Sequence, residues 1–178
     1  MENIFFPNLL IVAGNNSKSG KTTAICRIVS KLNAEVTAIK ITPHYHELTP
    51  GLVEVMHGEG YSVRAETDPG TGKDTSRMLQ AGAKKVYLIL AWEASVKDVF
   101  MRVMKHIPGY SPVICESPSL RDYIEPGLFI LMSSTNENTR DDLVHLVNYP
   151  HLRYRLESLD DEDLSGIRFE AGKWTVNI

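Results

Sequence analysis

Apolar positions along the chain follow two patterns, short unbroken runs and stripes at helical spacing. Leu9-Leu10-Ile11-Val12-Ala13 is an unbroken run, the pattern of a strand buried on both faces. A polar, glycine-containing turn follows, and over residues 22–33 the period changes. There Ala24, Ile25, Ile28, Val29 and Leu32 share one helical face, while Arg27, Ser30 and Lys31 share the other. Residues 35–41 alternate as a second strand. Residues 51–67 read as a hairpin that turns at His57-Gly58-Glu59-Gly60.

Further on, residues 74–83 read as a helix closed near Gly82, and 85–92 as the most apolar strand, Val86-Tyr87-Leu88-Ile89-Leu90-Ala91. Val96, Val99, Phe100, Val103, Met104 and Ile107 are spaced for one buried helical face. Residues 112–116 and 128–132 are two more buried strands. Residues 139–148 read as a helix capped by Thr139, with Asp141 and Asp142 near its positive end. Leu159-Asp160-Asp161-Glu162-Asp163 reads as a solvated loop, and residues 167–178 as a final hairpin around Ala171-Gly172-Lys173. Strands alternating with helices predict an α/β domain, three layers deep, with a mainly parallel sheet and a β-hairpin insertion.

Length agrees with one domain over 1–178, with a core at about 8–133 and a helix and hairpin at 139–178, since 178 residues suit a single hydrophobic core. Nineteen Lys and Arg against 22 Asp and Glu leave a net charge of −3, which gives no basic surface for nucleic acid. The two cysteines, Cys26 and Cys115, stand in separate apolar stretches, too few for a disulfide framework or a cysteine zinc site. No positively charged leader or membrane-length apolar run is present, so a soluble, cytoplasmic protein is expected.

Candidate chemistry concentrates in Gly14-Asn15-Asn16-Ser17-Lys18-Ser19-Gly20-Lys21-Thr22-Thr23, between a buried strand and an amphipathic helix. That is the context of a phosphate-binding loop. Backbone N–H groups of such a loop point at phosphate oxygens, and the helix N-terminus adds positive potential. Lys21 can reach the β- and γ-phosphates, and the Thr22 hydroxyl can ligate Mg²⁺. The usual G-x-x-x-x-G-K-[ST] pattern puts its first glycine where Asn15 stands, with Gly14 one place earlier; Asn tolerates positive φ better than most residues. A three-layer P-loop NTPase-type domain follows. Pro69-Gly70-Thr71-Gly72-Lys73-Asp74 imitates the motif, but Asp74 replaces the hydroxyl and no apolar strand leads in, so it reads as a loop entering a helix.

The order of motifs resembles that of the molybdopterin-guanine dinucleotide biosynthesis protein B family. The resemblance rests on Gly20-Lys21-Thr22-Thr23; on Ile39-Lys40 followed by His44-Tyr45-His46-Glu47; on Lys73-Asp74-Thr75-Ser76-Arg77 leading to Ala81-Gly82-Ala83; and on Val113-Ile114-Cys115-Glu116. It implies GTP with Mg²⁺ as ligand, slow or partner-assisted hydrolysis, a homodimer, and a nucleotidyltransferase as partner protein. The spacing from Gly14 to Lys21 is also similar to that of dethiobiotin synthetase, which implies a small-molecule kinase or ligase instead. A non-catalytic, nucleotide-dependent adaptor is the third alternative. Ser133-Ser134-Thr135-Asn136-Glu137-Asn138 is not the Asn-Lys-x-Asp pattern that reads guanine, so GTP over ATP comes from the resemblance alone.

A P-loop protein needs an acid at the end of a neighbouring strand to hold Mg²⁺ directly or through water. Glu93 and Glu116 both qualify by position, and the resemblance favours Glu116, giving Lys21 and Glu116 as catalytic and Thr22 and Glu116 as metal residues. Lys40 ends the second strand, where it is either a phosphate or substrate-acid contact or a surface lysine. His44 and His46 with Glu47 are too few for a zinc site and are kept as substrate-side residues. Lys18 can add charge toward phosphate but is given no catalytic role. Asp74 and Arg77 read as a surface ion pair.

Overall fold

The run Leu9 to Ala13 is fully buried in the second half of β1 (Ile4–Gly14), which lies between β6 (Val113–Glu116) and β7 (Ile124–Ser133). The computed structural model describes residues 4–14, 18–43, 48–134, 141–159 and 164–177, without the side chains of 141–143. Beyond β6 come β2 (Thr37–Thr42), β5 (Lys85–Ala91), β4 (Tyr61–Glu66) and β3 (Leu52–Gly58), and beyond β7 comes β8 (Leu152–Arg155). The eight-stranded order is β3-β4-β5-β2-β6-β1-β7-β8. Pairing is parallel from β5 to β8 and antiparallel only where the β3–β4 hairpin joins the edge at β5.

Continuous apolar strands need cover on both faces. Leu10, Val12, Ala38, Val86 and Ile114 pack with Ala24, Ile25, Ile28 and Val29 of α1 (Lys21–Lys31) and Met78 of α2 (Asp74–Gln80). Leu9, Ile11, Ile39, Ile89 and Cys115 face the other way, toward Val96, Val99, Phe100 and Val103 of α3 (Glu93–Met104). The described residues thus form an α/β arrangement of three α-helices on a mostly parallel mixed sheet, compatible with three layers. None of these helices is long and apolar enough to cross a membrane.

Several elements differ from the sequence pattern. Strand β2 does not alternate; Thr37 and Thr42 are buried too, because the strand is interior and Lys40 alone is partly exposed. Residues 141–148 form a 3-10 helix, not an α-helix, and Thr139 lies outside the described residues. Spacing of three per turn lines up Leu146 with Tyr149, and both pack on the α3-side core. Strand β8 was not predicted; it is a four-residue edge strand with no apolar run. Leu159, expected in solvent, is buried against the α1-side core, while residues 160–163 lie outside the described set. The final hairpin is present as β9 (Ile167–Glu170) and β10 (Lys173–Val176), a separate sheet whose Trp174 donates to the Asn8 carbonyl at 2.9 Å.

Candidate functional site

Strand register lines up the site before any side chain is considered. Val12 pairs with Glu116, Glu116 with Lys40, Lys40 with Leu88 and Leu88 with Arg64, one row across five strands. Val12 belongs to the core under α1 and α2, so alternation turns Glu116 and Lys40 toward the same helices. Both charged residues sit at or near the carboxyl ends of adjacent parallel strands, where open α/β sheets hold their ligands.

The loop after β1 is tightly folded where it is described. A Cβ on Gly14 would stand 2.0 Å from Ser19 Oγ and 3.1 Å from Lys21 Cγ, so the chain returns directly over this glycine. Ser19 is fully buried and accepts a 3.3 Å hydrogen bond from Lys21 Nζ. Gly20 takes φ +87°, a conformation that only glycine adopts freely, and its carbonyl accepts the Ala24 N–H at 2.9 Å to open α1. Lys18 is exposed. Asn15, Asn16 and Ser17 lie outside the described residues, as do His44 and His46.

Thr22, in the first turn of α1, donates its hydroxyl to Glu116 Oε2 at 2.7 Å, and both residues are buried. Glu116 Oε1 accepts from Lys40 Nζ at 3.2 Å. Lys40 also forms an ion pair with Asp74. Two carboxylates are thus joined through one ammonium group, and one of them also accepts the Thr22 hydroxyl. Burial alone would lower the Lys40 pKa, but the charge of Glu116 and the bond and charge of Asp74 hold it above the ordinary lysine value. Burial alone would raise the Asp74 pKa, yet Lys40, with smaller help from Thr22 and Arg77, brings it below the ordinary aspartate value.

The expected ion pair of Asp74 with Arg77 exists at 3.7 Å, and the carboxylate has a further role, being drawn inward by Lys40. Arg77 in turn donates to Thr23 Oγ1 at 3.3 Å, joining α2 to the first turn of α1. The only available signal was the Lys-Asp-Thr-Ser-Arg order itself, since contacts spanning 34 positions leave no local pattern. Glu93 is not brought to this cluster. It opens α3 on the opposite side of the sheet, exposed, with its charge felt at Tyr123.

The arrangement suits a small hard cation. Mg²⁺ takes oxygen ligands, usually one or two from protein with water and phosphate completing an octahedron. Thr22 and Glu116 present two such oxygens in contact, and Asp74 adds a second carboxylate within the same network. Glu116 and Asp74 are matched by Lys40 and, at 3.7 Å from Asp74, by Arg77, so the cluster offers carboxylate oxygens at near-neutral net charge. Among the described residues no group of three or more His, Cys, Asp or Glu is placed to hold a metal ion alone. Burial raises the pKa of Cys26, with Arg77 opposing, and pushes that of Cys115 well up, so neither thiol is activated. A cavity of about 290 Å³ between the end of α1 and β9 shares no lining residue with the cluster.

Comparisons with family models, with curated proteins and with solved structures found no match to this chain.

Proposed function

We propose that this chain is a P-loop-type nucleoside-triphosphate-binding protein with slow, Mg²⁺-dependent hydrolysis, GTP being the favoured nucleotide. The observation that carries the reading is the 2.7 Å bond between Thr22 and Glu116. It joins the hydroxyl that follows Gly20-Lys21 to the strand-end acid that a triphosphate site requires, at the start of a helix opened by a left-handed glycine.

In this reading Gly14, the loop residues 15–19, Gly20 and Thr23 surround the phosphates with backbone N–H groups. Lys21 turns from Ser19 to the β- and γ-phosphates. Thr22 and Glu116 hold Mg²⁺, and Asp74 supports that pair from α2. Because the Thr22 proton is given to Glu116, a lone pair of its oxygen is left for the ion. The bound ion supplies neutralisation of charge on the β- and γ-phosphate oxygens. Lys21 and the loop amides then stabilise negative charge as the terminal phosphoryl group passes to water. Lys40, besides its substrate-side position, supplies the internal counter-charge of Glu116 and Asp74.

The motif order supports a role like that of the molybdopterin-guanine dinucleotide biosynthesis protein B family, with a homodimer assisting a nucleotidyltransferase. The decisive experiment is a thermal-shift series with GTP, ATP, GDP and ADP, each with Mg²⁺ or EDTA. A ligand at about a hundred times its Kd adds about 2.7 kcal/mol to the folded state. Mg-GTP is expected to raise Tm most, and Lys21→Ala to abolish the rise. No Mg²⁺-dependent shift from any nucleotide would overturn the reading.

A further inference from the structure

The buried carboxylate of Glu66 has no part in the site just described, and its bonds all lead to the segment that delivers Asp74. Glu66 closes β4 and is 5% exposed. Its Oε1 accepts the N–H groups of Thr67 and Asp68, each at 3.1 Å, and its Oε2 accepts the Thr75 hydroxyl at 2.7 Å. Thr75 is itself buried and directly follows Asp74. One residue further, the fully buried Ser76 accepts the Thr71 N–H at 3.0 Å, which fixes the loop that leads into α2. On the other side, a Cβ on Gly51 would come within 2.6 Å of Glu66 Oε1, so the hairpin base is also shaped around this carboxylate.

These bonds close a circuit. Glu66 holds Thr75; the adjacent Asp74 holds Lys40; Lys40 stands on β2, which pairs with β5, which pairs with β4, the strand that ends in Glu66. A seven-residue helix has little stability of its own, so the orientation of its first turn depends on such tertiary bonds. We infer that Glu66 is a positioning residue that acts through Thr75, fixing the first turn of α2 so that Asp74 engages Lys40 and the Thr22–Glu116 pair. For its magnesium readout the inference rests on the nucleotide reading above; its other readout does not.

Three variants of the full chain separate positioning from mere support. Thr75→Val keeps the shape and removes the donor. Glu66→Ala removes the anchor. Glu66→Gln retains an oxygen for the Thr67 and Asp68 amides, while its NH₂ can donate to Thr75 Oγ1. In the first readout, NMR follows hydrogen exchange of the Arg77 amide, which bonds to the Lys73 carbonyl at 2.8 Å to close the first turn of α2, in protein without nucleotide. Thr75→Val and Glu66→Ala are expected to speed this exchange about tenfold, and Glu66→Gln to leave it as in the parent. In the second, the Mg²⁺ concentration for half-maximal binding of a fluorescent GTP analogue rises about tenfold in Thr75→Val, equivalent to about 1.4 kcal/mol, and less than twofold in Glu66→Gln. Folded Thr75→Val protein with unchanged Arg77 exchange would overturn the inference, whatever nucleotide does. If Lys21→Ala removes GTP-analogue binding while Thr75→Val leaves the Mg²⁺ midpoint unchanged, the positioning role fails and the nucleotide reading stands. If the parent chain binds no nucleotide, that reading fails and the Arg77 exchange alone decides the role of Glu66.

Discussion

Lys40 Nζ lies 3.2 Å from Glu116 Oε1, and strand register makes the pairing unavoidable, because the two residues face each other on β2 and β6. Side chains opposite one another on neighbouring strands, pointing to the same face, must either attract or repel. Here the ammonium offsets a carboxylate that is 5% exposed, and it reaches Asp74 as well. A cation is therefore built into the sheet beside the place proposed for Mg²⁺.

Removing that cation should cost stability that divalent metal restores. Lys40→Met keeps the length of the stem and leaves Glu116 and Asp74 without their shared counter-charge. Breaking a buried pair costs about 3–5 kcal/mol. The 40% exposure of the Asp74 side chain reduces this, so about 2 kcal/mol is expected, or about 4–8 °C in Tm for a chain of this size. Mg²⁺ at millimolar concentration should recover more Tm in Lys40→Met than in the parent. Equal Mg²⁺ responses in the two proteins would show that the ammonium and the metal do not share a site.

Stability should also depend on pH at both ends of the range. Asp74 titrates below its ordinary value, so its contribution is present above the unfolded pKa of about 3.9 and is lost as pH falls through the folded one. Lys40 titrates above its ordinary value, so its contribution is complete below the unfolded pKa of about 10.4 and is lost as pH rises through the folded one. The parent should thus exceed Lys40→Met by most between about pH 5 and 9, and the gap should close toward both extremes. Urea titrations across that range measure the gap. A difference that persists unchanged at alkaline pH would assign the effect to packing of the lysine stem.

What the sequence made legible was decided by how local each cause is. The run Leu9 to Ala13, the stripe Ala24-Ile25-Ile28-Val29 and the turn around Gly60 are set by neighbours in the chain, and they appear where expected. Strand β8 was invisible because its alternation, with Arg153 and Arg155 exposed, spans only four residues at a sheet edge. The boundaries of β2 shifted because burial on both faces hides a strand's ends. Thr22 and Glu116 were each suspected from strand-end and helix-start positions, and the fold brings them into contact across 94 positions. The inward contact of Asp74 with Lys40 was hidden for the opposite reason. Its loop looks like a failed copy of the phosphate motif, and the lysine that recruits it belongs to another strand.

The left-handed turn at Gly20 should tolerate no side chain, for two separable reasons. At φ +87° any L-residue is strained, by about 1–2 kcal/mol for alanine. A Cβ there would also stand 2.7 Å from Leu156 Cδ1 and 3.2 Å from Leu156 Cβ. Gly20→Ala is expected to lose about 2–3 kcal/mol when both costs act. In the Gly20→Ala, Leu156→Ala double variant the contacts with Leu156 Cγ and Cδ1 disappear, while the φ cost and the 3.2 Å approach to Cβ remain. A double-mutant cycle followed by urea unfolding isolates the two. Additive losses would mean that Leu156 does not rest on the glycine.

Thr22 gives the sharpest distinction between phosphate and metal roles. Thr22→Val preserves the β-branched shape in the first turn of α1 and deletes the hydroxyl that meets Glu116. The loop amides and Lys21 are untouched, so nucleotide affinity in EDTA should stay within about twofold of the parent, a difference of only about 0.4 kcal/mol. With Mg²⁺ the affinity should fall about tenfold to a hundredfold, or about 1.4–2.8 kcal/mol, because one ligand oxygen and the bond that orients Glu116 are both gone. Thr22→Ser should behave like the parent, since it restores the oxygen at the same position. Lys21→Ala provides the contrast, lowering affinity with and without metal. Isothermal titration of GTP into the four proteins, in Mg²⁺ and in EDTA, reads all of these terms together. Equal losses for Thr22→Val in both buffers would move the hydroxyl from the metal to the phosphate, and Glu116 would then lose its proposed role as the metal's strand-end acid.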